Sequence, residues 1–390
     1  MNLGYLQGQT KRQTMLTIVA DHKIPFLEGA LEPFARVKYL PGKDITNKHL
    51  EQADALITRT RTRCDEKLLK GTPVRFIASA TIGYDHIDTQ YCEAHDIRWT
   101  NAPGCNSGSV AQYISSALAI ISVKHTKPLH ELNLGIIGAG NVGSKVVRLA
   151  DLLGMRLLVS DPPRQQNEGP EGFSDLDTLL KESDIITLHV PLEQTRSNNT
   201  FHLANAGFFR KMKKGAWFIN TSRGEVTHTQ ALLEALKSKH LAGAVLDVWE
   251  NEPQINLELL QHCAIATPHI AGYSADGKAN GTAMSVQAIS NFFGLGIDLW
   301  WPENIPTPPF ANTNFNCLGK KRQDIFRELS LLTYNILQDS QLLKSSPQTF
   351  EQQREEYPLR REPAAYTLKL FECKEQNRKF IEDLGFNILH

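Results

Sequence analysis

Three ionisable side chains of this 390-residue chain, Arg223, Glu252 and His269, each stand shortly past an apolar run of strand length. Open α/β sheets bind their ligands beyond the carboxyl ends of the strands, so the three are candidates for one site. A guanidinium is a planar fork that grips a carboxylate with two hydrogen bonds. An imidazole titrates near neutrality and can take the proton of an alcohol while hydride leaves its carbon. A carboxylate beside the imidazole stabilises the imidazolium that forms. Arginine, histidine and glutamate together therefore suit oxidation of a secondary alcohol next to a carboxylate. Read singly, Glu252 in Asp247-Val248-Trp249-Glu250-Asn251-Glu252-Pro253 could be a solvated loop acid, and Arg223 in Asn220-Thr221-Ser222-Arg223-Gly224 a surface loop cap. His269, in Thr267-Pro268-His269, is one of thirteen histidines, for any one of which structural work is the default.

A hydride needs an acceptor, and the chain offers a place for one. Gly138-Ala139-Gly140-Asn141-Val142-Gly143 follows an apolar run and opens a helix-like segment. Gly138, Gly140 and Gly143 would give a tight turn, close approach of a pyrophosphate to the backbone, and close helix packing. Asp161 follows at the end of the next strand-like run, where a carboxylate accepts hydrogen bonds from an adenosine ribose. The same charge repels the extra phosphate of NADP, and Pro162-Pro163 puts no cation directly beside it, although Arg164 is near. NAD is the expected cofactor.

The elements that must position these residues read as two series of βαβ units. Short apolar runs at 16–20, 37–40, 55–59, 74–80 and 97–100 predict a first parallel sheet. Runs at 134–137, 156–160, 185–190, 216–220, 242–248 and 264–267 predict a second, doubly wound sheet of six strands. Helices are expected over 110–124 and 279–293, and a Pro-rich segment around Pro302, Pro306, Pro308 and Pro309 reads as a linker. Beyond it a tail carries a helix-like run over 323–337, a charged stretch over 352–362, and a final strand and helix.

Composition excludes several classes. Lys plus Arg and Asp plus Glu are 42 each, which leaves no excess positive charge for nucleic acid. The longest nearly apolar stretch, 113–123, falls short of the ~20 residues that cross a bilayer. Residues 1–14 are polar and lack the apolar centre of a secretory signal, so a cytoplasmic protein is expected, with that segment dispensable and Met15 available as a second start. Six scattered cysteines without a CxxC pair read as reduced thiols, with no metal site.

On the GxGxxG, Asp161, His189-Val190-Pro191-Leu192, Asn220-Thr221-Ser222-Arg223-Gly224, Leu246-Asp247-Val248 and Pro268-His269, the chain resembles the D-isomer-specific 2-hydroxyacid dehydrogenases over roughly residues 15–300. The resemblance implies NAD-dependent interconversion of a 2-hydroxy acid and a 2-oxo acid, with Arg223 on the carboxylate, His269 as acid and base, and Glu252 tuning it. It implies an α/β architecture: a flavodoxin-like substrate domain (15–109 plus 280–302), a doubly wound Rossmann NAD domain (110–279), and a small α+β C-terminal dimerisation domain (303–390). Carried over residue by residue, it places Asn141 and Val142 on the pyrophosphate, and Val190, Thr221, Ser222, Asp247 and Gly272 along the cofactor. Thr60, Thr81 and Tyr273 align with substrate positions, although both threonines could instead cap the helices that follow them. Ala102-Pro103-Gly104-Cys105-Asn106, Asp161-Pro162-Pro163-Arg164, the Trp249 segment and Ile270-Ala271-Gly272-Tyr273 resemble a homodimeric branch of the family acting on a small phosphorylated 2-hydroxy acid. Arg59 is a candidate cation for that phosphate, and Arg360 and Arg361 are others, contributed by the tail of a partner subunit in a dimer like the family's. Other expectations open at this point are a relative acting on 3-phosphoglycerate, glyoxylate or hydroxypyruvate, and a noncatalytic NAD-sensing corepressor-like protein.

Overall fold

A computed structural model describes residues 15–194 and 199–389, so the expectation for residues 1–14 lies outside the described residues. The chain divides into two compact units, one of residues 1–105 and 278–305, the other of 106–277 and 306–390.

In the first unit, β1 (Leu16–Asp21), β2 (Ala35–Leu40), β3 (Ala55–Thr58), β4 (Phe76–Ser79) and β5 (Arg98–Thr100) form a parallel sheet in the order β2-β1-β3-β4-β5. That is the flavodoxin-like order. Neighbouring residues of one strand feed opposite faces: Ile18 and Ile57 pack with Leu27, Leu31, Val286 and Ile289, while Val19 and Leu56 pack with Leu50, Leu68 and Ile77. Both faces are covered, which is why β3 and β4 are buried throughout and read as continuous apolar runs.

The second unit holds β6 (Asn133–Ile137), β7 (Arg156–Ser160), β8 (Ile185–Leu188), β9 (Trp217–Asn220), β10 (Gly243–Leu246) and β11 (Ile265–Ala266). They pair in parallel in the order β11-β10-β9-β8-β6-β7. The chain winds outward from β6 to β7 and then returns past β6 to β8, so the carboxyl ends of β6 and β8 flank the crevice where such sheets bind ligands. The expected doubly wound sheet is present, with strands shorter than the apolar runs because residues such as His189 and Val190 already lie in the loop. The helix Ser107–Lys124 starts three residues before the expected 110 and buries Tyr113, Ile114, Ala117 and Ile121 against Ile136, Ile219 and Val245.

Residues 306–390 belong to this second unit rather than standing apart. Phe315, Ile325, Phe326 and Leu329 share one core with the Ser107–Lys124 helix, and Leu343 and Phe350 join the core on the other face of the sheet. The tail carries its own parallel sheet of β12 (Asn312–Asn316), β13 (Thr367–Phe371) and β14 (Asn387–Ile388). The single helix expected over 323–337 is two, Arg322–Thr333 and Ile336–Ser345. Tyr334 is extended, Ser116 Oγ donates to its carbonyl at 2.7 Å, and the Asn335 side chain caps the second helix by accepting from Leu337 N. Among the described residues no helix is long and apolar enough to cross a membrane, and no three His, Cys, Asp or Glu side chains form a metal-binding group.

Candidate active site

At the end of β6, Gly138 adopts φ 87°, a conformation that L side chains rarely take. A Cβ there would meet the His189 carbonyl at 2.6 Å, so the turn after β6 is packed on the loop after β8. A Cβ on Gly143 would strike the Gly138 carbonyl, which is why the third glycine of the motif cannot be larger. Around Gly140, by contrast, a side chain would meet nothing within 4 Å, at the N-terminus of the helix Asn141–Leu152. Open space in front of the backbone N–H groups of a twelve-residue helix is what a pyrophosphate requires.

Asp161 follows β7 and is tied into the same turn. Its Oδ2 accepts from Ala139 N at 2.8 Å, and its Oδ1 caps the helix Pro162–Glu168 by accepting from Arg164 N at 3.1 Å. Arg164 is bidentate to Glu168 at 2.7 and 2.6 Å and donates to the Ala139 carbonyl of the glycine turn at 2.7 Å. Thr221 Oγ1 and Asn106 Oδ1 are buried polar atoms without a hydrogen-bond partner among the described residues. These orphans, the open space at Gly140 and the capping acid together fit a dinucleotide.

Glu252 and His269 are brought into direct contact: His269 Nδ1 lies 2.7 Å from Glu252 Oε2. The other oxygen, Oε1, accepts from Trp249 N at 2.9 Å, and the Trp249 indole donates to the Thr267 carbonyl at 2.9 Å, so the glutamate loop is pinned to the strand end that leads to the histidine. His269 itself has φ 58°, an unusual backbone for a residue with a side chain, and its N–H donates to the Asp247 carbonyl at 2.7 Å. Asp247 enforces this loop. Its carboxylate is buried and accepts from Thr267 Oγ1 at 2.6 Å, Ile270 N at 2.8 Å and Ala271 N at 2.9 Å. Burial pushes Asp247 above the usual carboxylate range, with His269 and these donors opposing it.

Arg223 lies in the loop after β9. Asn220 shapes the loop by accepting from Ser222 N and Oγ at 2.9 and 2.7 Å and donating to the Arg223 carbonyl at 2.9 Å. Next to Arg223, Gly224 packs on the Trp249 backbone so closely that a Cβ would overlap the peptide. The arginine loop is therefore adjacent to the glutamate loop, and among the described residues the Arg223 side chain donates to the Ser222 carbonyl at 2.9 Å.

The remaining expected residues fall into two groups. Val190 and Gly272 are half-buried beside the β6 turn and the Asn106 side chain, and Ser222 is buried. Tyr273 is half-buried four residues beyond His269. Thr60 and Thr81 follow β3 and β4 in the first unit; Thr60 is exposed, and Thr81 Oγ1 donates to the Gly83 carbonyl at 3.1 Å. Neither is a helix cap, since Asp65 and Asp88 cap the helices that follow.

Each of the three cations nominated from the sequence has a partner within the chain. Arg59 Nε donates to buried Asp21 at 3.1 Å. Arg360 is buried in its own chain, donating to the Ala271 carbonyl at 2.5 Å with the Tyr334 ring 4.4 Å away. Arg361 is bidentate to Asp276. Sequence reading also missed Trp249, Thr267 and Asn220 as the supports of the site. The run Asn220-Thr221-Ser222 was the available signal, because an Asn followed by hydroxyl residues commonly builds an Asx turn.

Residues 120–271 match the D-isomer specific 2-hydroxyacid dehydrogenase, NAD binding domain, and residues 305–385 match a domain of unknown function. An erythronate-4-phosphate dehydrogenase of Bacteroides fragilis is 50% identical over 354 residues, 90% of this chain and 99% of that protein. The chain belongs to the erythronate-4-phosphate dehydrogenase family. A second erythronate-4-phosphate dehydrogenase, of Porphyromonas gingivalis, is 42% identical over 90% of this chain and 95% of its own length. The crystal structure of D-lactate dehydrogenase from Aquifex aeolicus, complexed with NAD and lactic acid, is 29% identical with a TM-score of 0.59, over 73% of this chain and 96% of that one. As a member of this family the chain is an NAD-dependent dehydrogenase with a Rossmann domain.

Proposed function

We propose that the chain oxidises 4-phospho-D-erythronate at C2 to 3-hydroxy-2-oxo-4-phosphooxybutanoate, a reaction of pyridoxal 5'-phosphate biosynthesis. The observation that carries the chemistry is the His269 to Glu252 contact at 2.7 Å. Substrate identity is supported by the erythronate-4-phosphate dehydrogenases that match over nearly their whole length.

Glu252 already accepts a backbone N–H, and an ionised carboxylate can only accept. Nδ1 of His269 is therefore the donor, which leaves the Nε2 lone pair to take the C2 hydroxyl proton. As the proton arrives the imidazolium is stabilised by Glu252 at hydrogen-bond distance. Arg223 holds the substrate carboxylate through its fork. NAD, held by the N-terminus of the helix Asn141–Leu152 and by Asp161, supplies the hydride acceptor when bound. Thr60, Thr81 and Tyr273 are assigned to the substrate, and Val190, Thr221, Ser222, Asp247 and Gly272 to the cofactor side; for Asp247 the support lies in its grip on the His269 loop.

The same reading makes the tail a homodimerisation element in a cytoplasmic enzyme. Exposed Leu318, Leu332, Leu337, Leu342 and Phe371 on the tail support this, since exposed large apolar side chains suit a partner surface.

The test is NADH formation with a panel of acids at one salt concentration. 4-Phosphoerythronate is expected to give the highest kcat/KM, above 3-phosphoglycerate and erythronate. A higher value for 3-phosphoglycerate would transfer the assignment to that substrate, and no turnover of any acid would favour an NAD-sensing role.

A further inference from the structure

A phosphorylated acid brings a doubly charged group that needs a cation; Arg59 is held by Asp21 and Arg361 by Asp276, and Arg360, whose Nε and Nη1 also lack partners among the described residues, is 4% exposed and closed off from solvent beside the Ala271 carbonyl and the Tyr334 ring. Arg354, in the helix Phe350–Glu355 of the tail, stands differently. Its side chain is 22% exposed, yet the acid in ion-pair range, Glu351, is 3.8 Å from Nη1, beyond hydrogen-bond distance. Its Nε is buried with no acceptor among the described residues, and its Nη2 makes a long contact of 3.3 Å to the Tyr273 hydroxyl. The guanidinium lies 5.9 Å from the Tyr273 ring centroid and 6.0 Å from that of Phe350. Burial opposes its charge, while Tyr273, Glu252 and Asp247 favour it, and the balance keeps it charged. A largely desolvated cation with open N–H groups is costly unless an anion completes it.

The place of this cation gives the anion its identity. Tyr273 lies four residues beyond His269 on one loop, and Glu252, whose field reaches Arg354, is hydrogen-bonded to His269. An anion bound there would belong to a molecule whose other end is at the proton acceptor.

We infer that Arg354, together with the Tyr273 hydroxyl, receives the phosphate of the substrate, so that the tail of the same chain supplies the specificity-determining cation. This rests on the reading that the substrate is phosphorylated. The phosphate oxygens supply the acceptors that Arg354 lacks, in the planar two-point geometry for which a guanidinium is suited and an ammonium is not. Tyr273 then acts as the hinge between the catalytic loop and the tail, donating its own O–H to the same group.

The experiment compares kcat/KM for 4-phosphoerythronate and for erythronate in wild type, Arg354→Gln, Arg354→Lys and Tyr273→Phe, with the NAD dissociation constant and melting temperature as checks on folding. Two charge-assisted hydrogen bonds correspond to a fall of about 10²-fold or more in the ratio of the two values for Arg354→Gln, expressed mainly in KM. Arg354→Lys should fall less, and Tyr273→Phe by several-fold. Inorganic phosphate, competing with 4-phosphoerythronate, should inhibit Arg354→Gln more weakly than wild type. If wild type selects the phosphorylated acid and Arg354→Gln keeps that selectivity, or loses activity equally on both acids, the arginine assignment is overturned alone. If wild type itself does not distinguish the two acids, the phosphorylated-substrate reading falls and this inference with it.

Discussion

His269 Nδ1 and Glu252 Oε2 stand 2.7 Å apart, although the two residues belong to loops that follow different strands. The contact depends on a left-handed backbone at His269 and on the backbone N–H of Trp249 holding the far oxygen of Glu252. His269→Ala should lower kcat by ~10² to 10⁴, the usual contribution of a positioned acid or base, while NAD binding stays within a few-fold. Glu252→Gln should lower kcat over a similar range, because the amide lacks the charge that stabilises the imidazolium and no longer fixes the tautomer. Stopped-flow turnover and NAD titration of both variants check this, and near-wild-type kcat in His269→Ala would remove it from the chemistry.

Asp161 has two functions to lose. Its carboxylate ties Ala139 N to Arg164 N, joining the glycine turn to the helix that follows β7. Asp161→Ala should therefore lower stability by ~1 kcal/mol through the lost cap as well as weaken NAD and narrow its preference over NADP. Thermal melts together with dissociation constants for both dinucleotides separate the two effects. An unchanged NAD to NADP ratio would place the adenosine elsewhere.

Glu362 makes stability depend on pH. Burial, aided by the charge of Asp276, raises its carboxyl above the usual range, with the Ser274 and Ser109 hydroxyls and Arg360 opposing. A carboxyl raised in the folded state favours folding most when protonated, so its contribution is full below the unfolded value of about 4.3 and is lost as pH rises through the folded value. Glu362→Gln does not titrate. Its melting temperature relative to wild type should therefore increase from acid toward neutral pH, and a difference that stays flat across that range would show that Glu362 is not the titrating group.

Cutting the chain after Ala311 should unfold the second unit. Phe315, Ile325, Phe326 and Leu329 complete the core around the Ser107–Lys124 helix, and Ser340 Oγ accepts from Ala266 N at 3.0 Å. Loss of several buried aromatic and aliphatic side chains, at roughly 2 to 5 kcal/mol each, is expected to unfold the second unit. Circular dichroism and NAD binding of the truncated chain report this, and a folded, NAD-binding product would show the tail to be separable.

The parallel sheets were legible because strands covered on both faces keep nearly continuous apolar runs, as in Gly243–Leu246. The glycine turn and Asp161 were legible because backbone geometry dictates their types at fixed spacing. The placement of the tail was not. Its attachment is made by pairs far apart in the chain, such as Ser109 with Glu362 at 3.0 Å and Gln112 with the Arg361 carbonyl at 2.8 Å, and no local period encodes them. For the same reason the pairing of Arg361 with Asp276, 85 residues earlier in the chain, could not be read from the sequence.

The central claim is that hydride leaves C2 of a 2-hydroxy acid while His269 takes the hydroxyl proton. Oxidation of 4-phosphoerythronate deuterated at C2 tests it most directly, by mass spectrometry of the reduced cofactor and by comparison of rates with the unlabelled acid. One deuterium recovered per NADH formed is the expected result, with a primary isotope effect on a step that His269→Ala slows. Deuterium released to water, or NADH formed without it, would contradict hydride transfer from C2.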